Sequence, residues 1–228
     1  MAAVPESDAS PTRFQALALS GGGYRGLYTA QVLADLEAHF ETPAGSHFEL
    51  LAGTSVGGIL ALALAYEIPA ARIVELFEKH GGEIFRKRAL LGVFQSTYSS
   101  EPLRKLLSQA DLFGDRTLGD CRHPLIVPAI NFTTGKPVVF KTAHHSSLHV
   151  DYQLKAVDIA LATSAAPLYF PRHVFRSNQY VDGGLFANAP GWLALHEAEI
   201  FLHQPIGQIH LMAIGTMSAK FTVDPRKS

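Results

Sequence analysis

Three short clusters carry residue types that can do chemistry. Gly53-Thr54-Ser55-Val56-Gly57 sets a serine between glycines two positions away on each side. A nucleophilic hydroxyl must project from a sharp turn, and glycine at those positions removes the side chains that would crowd it. Asp182-Gly183-Gly184 follows the short apolar pair Tyr180-Val181. Its carboxylate, backed by two glycines, can approach another loop closely and act as general base toward Ser55. An ordinary aspartate, with a pKa of ~3.9, is a weak base, and partial burial would strengthen it. In Gly21-Gly22-Gly23-Tyr24-Arg25-Gly26 the missing Cβ atoms let backbone N–H groups converge on an incoming atom. A helix starting there adds unsatisfied N–H groups and the positive end of its dipole. Such a turn suits a phosphate or the oxyanion of acyl transfer, and Arg25 can brace it through hydrogen bonds to carbonyls.

Each cluster has a plainer reading. Gly21-x-Gly23-x-x-Gly26 also matches a dinucleotide fingerprint, but the second strand leads into Gly53-Thr54-Ser55 and not to the acidic residue that a ribose needs, and the Walker lysine is missing. Ser55 could simply cap the following helix, and Asp182-Gly183 could simply turn a hairpin. A triad of serine, aspartate and histidine is allowed by chain order, since His196, His203 and His210 follow Asp182. Against it, Ser55 follows only the second strand, earlier than in the α/β-hydrolase layout, and none of these histidines has a distinctive setting.

These clusters need strand ends and helix starts to hold them. Phe14–Ser20 and Phe48–Ala52 read as buried strands, each running into glycine. Tyr24–Phe40 reads as a helix with a stripe of Leu27, Ala30, Leu33, Leu36 and Phe40, and Val56–Tyr66 as an almost wholly apolar, buried helix. A further helix begins at Pro69, buries Ile73, Val74, Leu76 and Phe77, and ends at Gly81-Gly82. Leu125–Ile130 and Pro137–Lys141 read as strands around a turn at Thr134-Gly135, Tyr152–Ala162 as a helix, Gln179–Val181 as a strand, Trp192–Glu199 as a helix and Gln208–Ile214 as a last strand. Phe85–Ser100 carries mixed signals. Alternating strands and helices predict an α/β sandwich with a mostly parallel sheet.

Composition bounds the function. The 228 residues fit one domain, and 47% hydrophobic against 17% charged residues excludes a disordered chain. Lys and Arg (19) nearly cancel Asp and Glu (20), so no global field points to DNA or RNA. The single cysteine, Cys121, excludes an internal disulfide and suits a reducing compartment. The first residues have neither basic start nor apolar core and read as a flexible lead-in over 1–13. The longest uncharged run, Leu50–Tyr66, is shorter than the ~20 residues of a membrane span. The expected location is therefore cytoplasmic.

Taken together, Leu19–Gly26, Gly53–Gly57 and Asp182–Gly184 resemble, in order, the three signatures of the patatin-like phospholipases. The segment Ala162-Thr163-Ser164-Ala165-Ala166-Pro167-Leu168-Tyr169-Phe170-Pro171 resembles the stretch before the family's aspartate strand. Asn188-Ala189-Pro190 resembles its Asn-Asn-Pro with one Asn replaced, and Ile214-Gly215-Thr216 the strand end that follows. The resemblance covers about residues 14–217. It implies a three-layer α/β/α fold with a mostly parallel central sheet, Ser55 as nucleophile and Asp182 as base. It also implies an oxyanion hole on the Gly21–Gly26 loop, lined by the N–H groups of Gly22, Gly23 and Tyr24 with Arg25 stabilising the loop, an elbow framed by Gly53 and Gly57, and no metal or cofactor. Ser20 stands where many relatives have Asp, and the chain stops at Ser228 where many continue. The tail over 218–228 fits a compact member or one cut short.

A narrower resemblance, carried by SGGGYRGLYTAQVLADLE and FELLAGTSVGGILALALA, is to bacterial patatin-like effectors of anti-phage signalling. It implies membrane phospholipids as substrate, action at the inner face of the membrane and a cyclic di- or oligonucleotide activator. The resting enzyme is then expected to be poorly active until assembly, for example into a homo-oligomer, relieves it. Arg86-Lys87-Arg88 followed by Ala89–Phe94 joins a basic cluster to an apolar run, which fits a solvated helix end before a core segment somewhat better than an anionic membrane surface. A constitutive esterase, a nucleotide-binding module on Gly21–Gly26 and a catalytically dead scaffold are the other readings the sequence leaves open.

Overall fold

The structure is a computed structural model, and it describes residues 13–87 and 96–216. The expected lead-in and tail, Arg88 and the apolar run after it lie largely or wholly outside the described residues. Seven strands form one sheet: β1 (Phe14–Leu19), β2 (Leu50–Gly53), β3 (Leu125–Asn131), β4 (Lys136–Lys141), β5 (His173–Phe175), β6 (Asn178–Asp182) and β7 (Ile209–Ile214). Their order is β5-β6-β3-β2-β1-β7, with β4 also on β3. Strands β7, β1, β2 and β3 run parallel, and β4, β5 and β6 are antiparallel to their neighbours. The sheet is thus mixed, with its parallel part at the two strands that carry the glycine motifs.

The registers around β3 place the site. β4 pairs with Ile126–Asn131, so β2 and β6 must share the opposite edge of β3. β2 takes Leu125 and Ile126, and β6 takes Ala129–Asn131. Because β2 is parallel to β3 and β6 antiparallel, their C-terminal ends face each other across Val127 and Pro128. Ser55 follows the first end and Asp182 terminates the second.

Alternation along the strands splits the core in two. Leu17, Leu19, Leu51, Leu125 and Val127 face α1 (Gly26–Phe40), α2 (Val56–Ala65), α3 (Ala70–Ile84), α4 (Glu101–Leu107) and α5 (Ala156–Thr163). Phe14, Ala16, Ala18, Leu50, Ala52 and Ile126 face the other way, toward Ala194 and Ala198 of α7 (Gly191–Ile200). A four-residue helix, α6 (Gly184–Ala187), follows Asp182. Every residue of α2 is buried, as its apolar sequence requires.

Several expectations shift. Pro69 caps α3 from outside, and α3 runs through Gly81-Gly82 to Ile84. Gly81 is a packing glycine, since an added Cβ would collide with the Tyr24 ring. The fifth helix starts at Ala156, four residues later than its pattern suggested. Phe40, the last member of the α1 stripe, is exposed. Helix α4, with Leu103, Leu106 and Leu107 buried, and strand β5 were not anticipated.

Gly57 lies under the end of β1, where an added Cβ would strike the carbonyl oxygens of Leu19 and Ser20. Nothing lies within 4 Å of the corresponding position on Gly82, in the interior of α3. Gly57→Ala is therefore expected to cost about 1–3 kcal/mol, and Gly82→Ala to add about 0.5–1 kcal/mol. Opposite shifts of the urea midpoint would check the pair.

Candidate active site

Ser55 sits between β2 and α2 with φ 56° and ψ −126°, a conformation uncommon for a residue with a side chain. It occupies the N-cap position of α2, yet its side chain makes no capping bond. Its hydroxyl instead donates to Asp182 Oδ2 at 2.7 Å. The other oxygen, Oδ1, accepts the Gly184 N–H at 2.6 Å. Both residues are buried, Ser55 at 9% and Asp182 at 6% exposure. Burial raises the Asp182 pKa above the ordinary aspartate value, against the two hydrogen bonds that pull it down. Among the described residues no histidine lines this site, and His196, His203 and His210 are all exposed. Burial pushes the Cys121 thiol up to about 12, leaving it a poor nucleophile near neutrality.

The turn conformation of Ser55 is fixed from three sides. The Thr54 N–H donates to the Leu19 carbonyl at 3.1 Å, and the Thr54 hydroxyl to the Ala187 carbonyl at 2.6 Å. The Ser55 carbonyl accepts from Gly58 and Ile59, starting α2. The Ser55 N–H donates to Thr163 Oγ1 at 2.9 Å. Thr163, the last residue of α5, also donates its hydroxyl proton to the Pro128 carbonyl at 2.7 Å and accepts the Gly183 N–H on its own carbonyl at 3.3 Å. Two residues on, the Ala165 carbonyl accepts the Asp182 N–H at 3.1 Å. One threonine thus ties the serine turn, the middle of β3 and the aspartate turn together. Sequence reasoning registered Thr163 only inside the Ala162–Pro171 stretch. Its role depends on where the end of α5 meets β3, which local pattern does not contain.

The glycine loop faces the same cleft. Its N–H groups divide into two sets. Those of Gly21, Arg25 and Gly26 are spent on the carbonyls of Asn188, Gly22 and Gly23/Tyr24. Those of Gly22, Gly23 and Tyr24 have no backbone acceptor among the described residues, and all three residues line the cleft with Ser55 and Asp182. Gly23 needs its freedom here, with φ at 58°. The Arg25 guanidinium Nε donates to the Gly22 carbonyl at 3.4 Å. Asn188, which holds the Gly21 N–H, also lines the cleft.

The cleft has a volume of about 870 Å³ and apolar walls. Tyr24, Phe77, Phe85, Tyr98 and Phe170 supply aromatic faces, with Phe85 edge-on to Tyr24 and to Tyr98 at 5.7 Å each. Asp182 is the only carboxylate in its lining among the described residues. The arrangement can deliver an activated hydroxyl and backbone donors to a carbonyl whose substituent is long and apolar.

Two substitutions test this geometry through stability. Thr163→Val keeps the shape but leaves the buried Ser55 N–H and Pro128 carbonyl unpaired, at an expected cost of about 1–3 kcal/mol for each group. Thr163→Ser restores both bonds and most of the loss, read from denaturant midpoints. For Asp182 the sign follows from its raised pKa. Its favourable contribution is complete below the unfolded-state value and is lost as pH rises through the higher folded-state value. The ionised form is thus a net cost near neutrality. Asp182→Asn, which can still accept from Gly184 and meet the Ser55 hydroxyl, is expected to melt above the wild type at pH 7, with the gap closing in acid.

Comparison with known proteins accords with this geometry. The sequence model of "Patatin-like phospholipase" matches residues 17–195. A cGAMP-activated phospholipase of Pseudomonas aeruginosa is 47% identical over 216 residues, covering 92% of this chain and 64% of the relative. One of Vibrio cholerae is 36% identical, covering 97% and 69%. A cUMP-AMP-activated phospholipase of Escherichia coli is 29% identical, covering 87% and 63%. The chain therefore spans about two thirds of the length of these relatives. In fold it is similar to VipD from Legionella pneumophila, with a TM-score of 0.53 over 77% of this chain and 46% of that one at 14% identity. By the extent of the family match and the identity to these relatives, the chain belongs to the patatin-like phospholipase family.

Proposed function

We propose that the chain is a phospholipase that transfers fatty acyl groups from lipid esters to water through Ser55 and Asp182. The observation that carries this reading is the direct 2.7 Å hydrogen bond from the Ser55 hydroxyl to a buried carboxylate, beside backbone N–H groups that have no backbone acceptor among the described residues and under an apolar cleft. Asp182 takes the Ser55 proton as Oγ attacks the ester carbonyl. The N–H groups of Gly22, Gly23 and Tyr24 receive the oxyanion, and the positive end of α2 adds to the field there. Asp182 then returns the proton to the departing alcohol oxygen, leaving an acyl-enzyme. A water deprotonated by Asp182 releases the fatty acid and restores the hydroxyl. Burial suits Asp182 to both steps, because a carboxylate with a raised pKa is the better base.

The apolar, aromatic walls support a long-chain acyl substrate, and membrane phospholipids at the inner membrane face are the reading we favour. The names of the relatives support control by a cyclic dinucleotide, and with it a role in anti-phage defence. The preformed Ser55–Asp182 contact favours a second reading, a hydrolase active without the nucleotide.

Fatty-acid release from vesicles of mixed bacterial phospholipids, with and without a panel of cyclic dinucleotides, distinguishes these. We expect release that rises with one of the nucleotides and falls at least ~1000-fold in Ser55→Ala. Release that ignores the nucleotides would favour the constitutive reading, and release undiminished in Ser55→Ala would overturn both.

A further inference from the structure

Leu168 is the most exposed large apolar residue of the described chain, at 84%, and it is held in a left-handed backbone conformation with φ 70°. That conformation is unfavourable for a residue with a side chain. It persists because the loop is pinned. The Leu168 carbonyl accepts both the N–H and the hydroxyl of Thr97, at 2.9 and 3.0 Å, and the Tyr98 N–H donates to the Tyr169 carbonyl at 2.7 Å. Phe170 then turns inward against Phe85 and Tyr98. The loop spends backbone strain to present Leu168 outward on a fixed support.

Leu168 does not stand alone. Tyr169 and Leu185 are also exposed, Leu185 at 61%, and all three line the mouth of the cleft that holds Ser55. Phe186, exposed too, is the next residue of α6. Leu185 lies three residues from Asp182, so this apolar rim is joined to the catalytic turn. Scattered exposed apolar residues need no explanation, but a set bordering one cavity marks an interaction surface. Exposed cations lie close by: Arg86 and Lys87 follow directly on Phe85 of the cleft wall, with Glu83 the carboxylate of that turn.

We infer that Leu168, Tyr169 and Leu185, with Phe186, form a rim that inserts into the surface of an anionic bilayer, so that a lipid acyl chain passes into the cleft without crossing water. The inference rests on the phospholipase reading above and adds the surface that meets the substrate. An apolar rim alone would fit many partners. The nearby Arg86 and Lys87 match the headgroups of an anionic leaflet. Three of the four rim residues line the cleft that holds Ser55.

The test uses the full chain with Ser55→Ala, so that bound lipid is not consumed, in a flotation assay with vesicles of phosphatidylglycerol and phosphatidylethanolamine, with and without the cyclic dinucleotides. Leu168→Asn suits a left-handed backbone and Leu185→Gln suits a helix, so both remove apolar surface without adding strain. The double variant is expected to lower the floated fraction about tenfold or more, the loss of two inserted side chains, with an unchanged melting temperature. As a direct readout, Leu168→Trp placed in Trp192→Phe, which removes the sole native tryptophan, should shift its emission to the blue on adding vesicles. Undiminished flotation of the double variant, no flotation of the Ser55→Ala chain in any condition, or an unshifted emission would overturn the rim. Failure of the phospholipase reading shows separately, as no Ser55-dependent fatty-acid release from detergent-dispersed phospholipid.

Discussion

The site depends on two strands arriving at one point from opposite directions. β2 runs parallel to β3 and stops after Ile126, while β6 runs antiparallel along the same edge and stops at Ala129. The gap between them is where Ser55 and Asp182 face each other. Pro128 lies in that gap. As a proline it has no N–H to satisfy, so a broken ladder leaves only its carbonyl without a strand partner there. The Thr163 hydroxyl fills that need and, on its other side, receives the Ser55 N–H. The left-handed serine, the missing strand partner and the buried threonine are one arrangement.

Burial is the second half of the design. A carboxylate at 6% exposure in an apolar cleft is costly, and among the described residues only the Ser55 hydroxyl and the Gly184 N–H offset it. A nearby arginine or histidine would stabilise the charge and weaken the base. The site keeps such groups away, and Arg25, the one cation of the cleft lining among the described residues, reaches the Gly22 carbonyl. On the proposed mechanism, what reads as a stability defect is the property that would let an aspartate work without an imidazole.

The glycine clusters were legible because their constraints are local. Close approach at Gly57, a left-handed turn at Gly23 and a serine between glycines leave their mark within five or six residues. The strand and helix order was legible for the same reason, since buried alternation and apolar stripes recur over short windows. What escaped depends on distant partners. Gly81-Gly82 looked like a helix end because glycine breaks helices, yet Gly81 makes room for Tyr24 across the interface. The antiparallel direction of β6 follows from how β5 and β6 pair as a hairpin beyond the cleft, which no periodicity records. Helix α4 carried a readable pattern, Leu103, Leu106 and Leu107 behind Glu101-Pro102, which the mixed signals just before it obscured. Thr163 had a recognisable neighbourhood but no local sign of its contacts.

Strand β7 has its own consequence. Among the described residues it pairs with β1 on one side only, and His210, Met212 and Ala213 are exposed along it. Proteins commonly guard such an edge with lysine, proline or a bulge, and Ile209–Ile214 has none of the first two. Among the described residues that edge therefore leaves backbone groups of the kind on which another strand can pair. An edge left open in this way would make dispersal depend on concentration as much as on folding free energy.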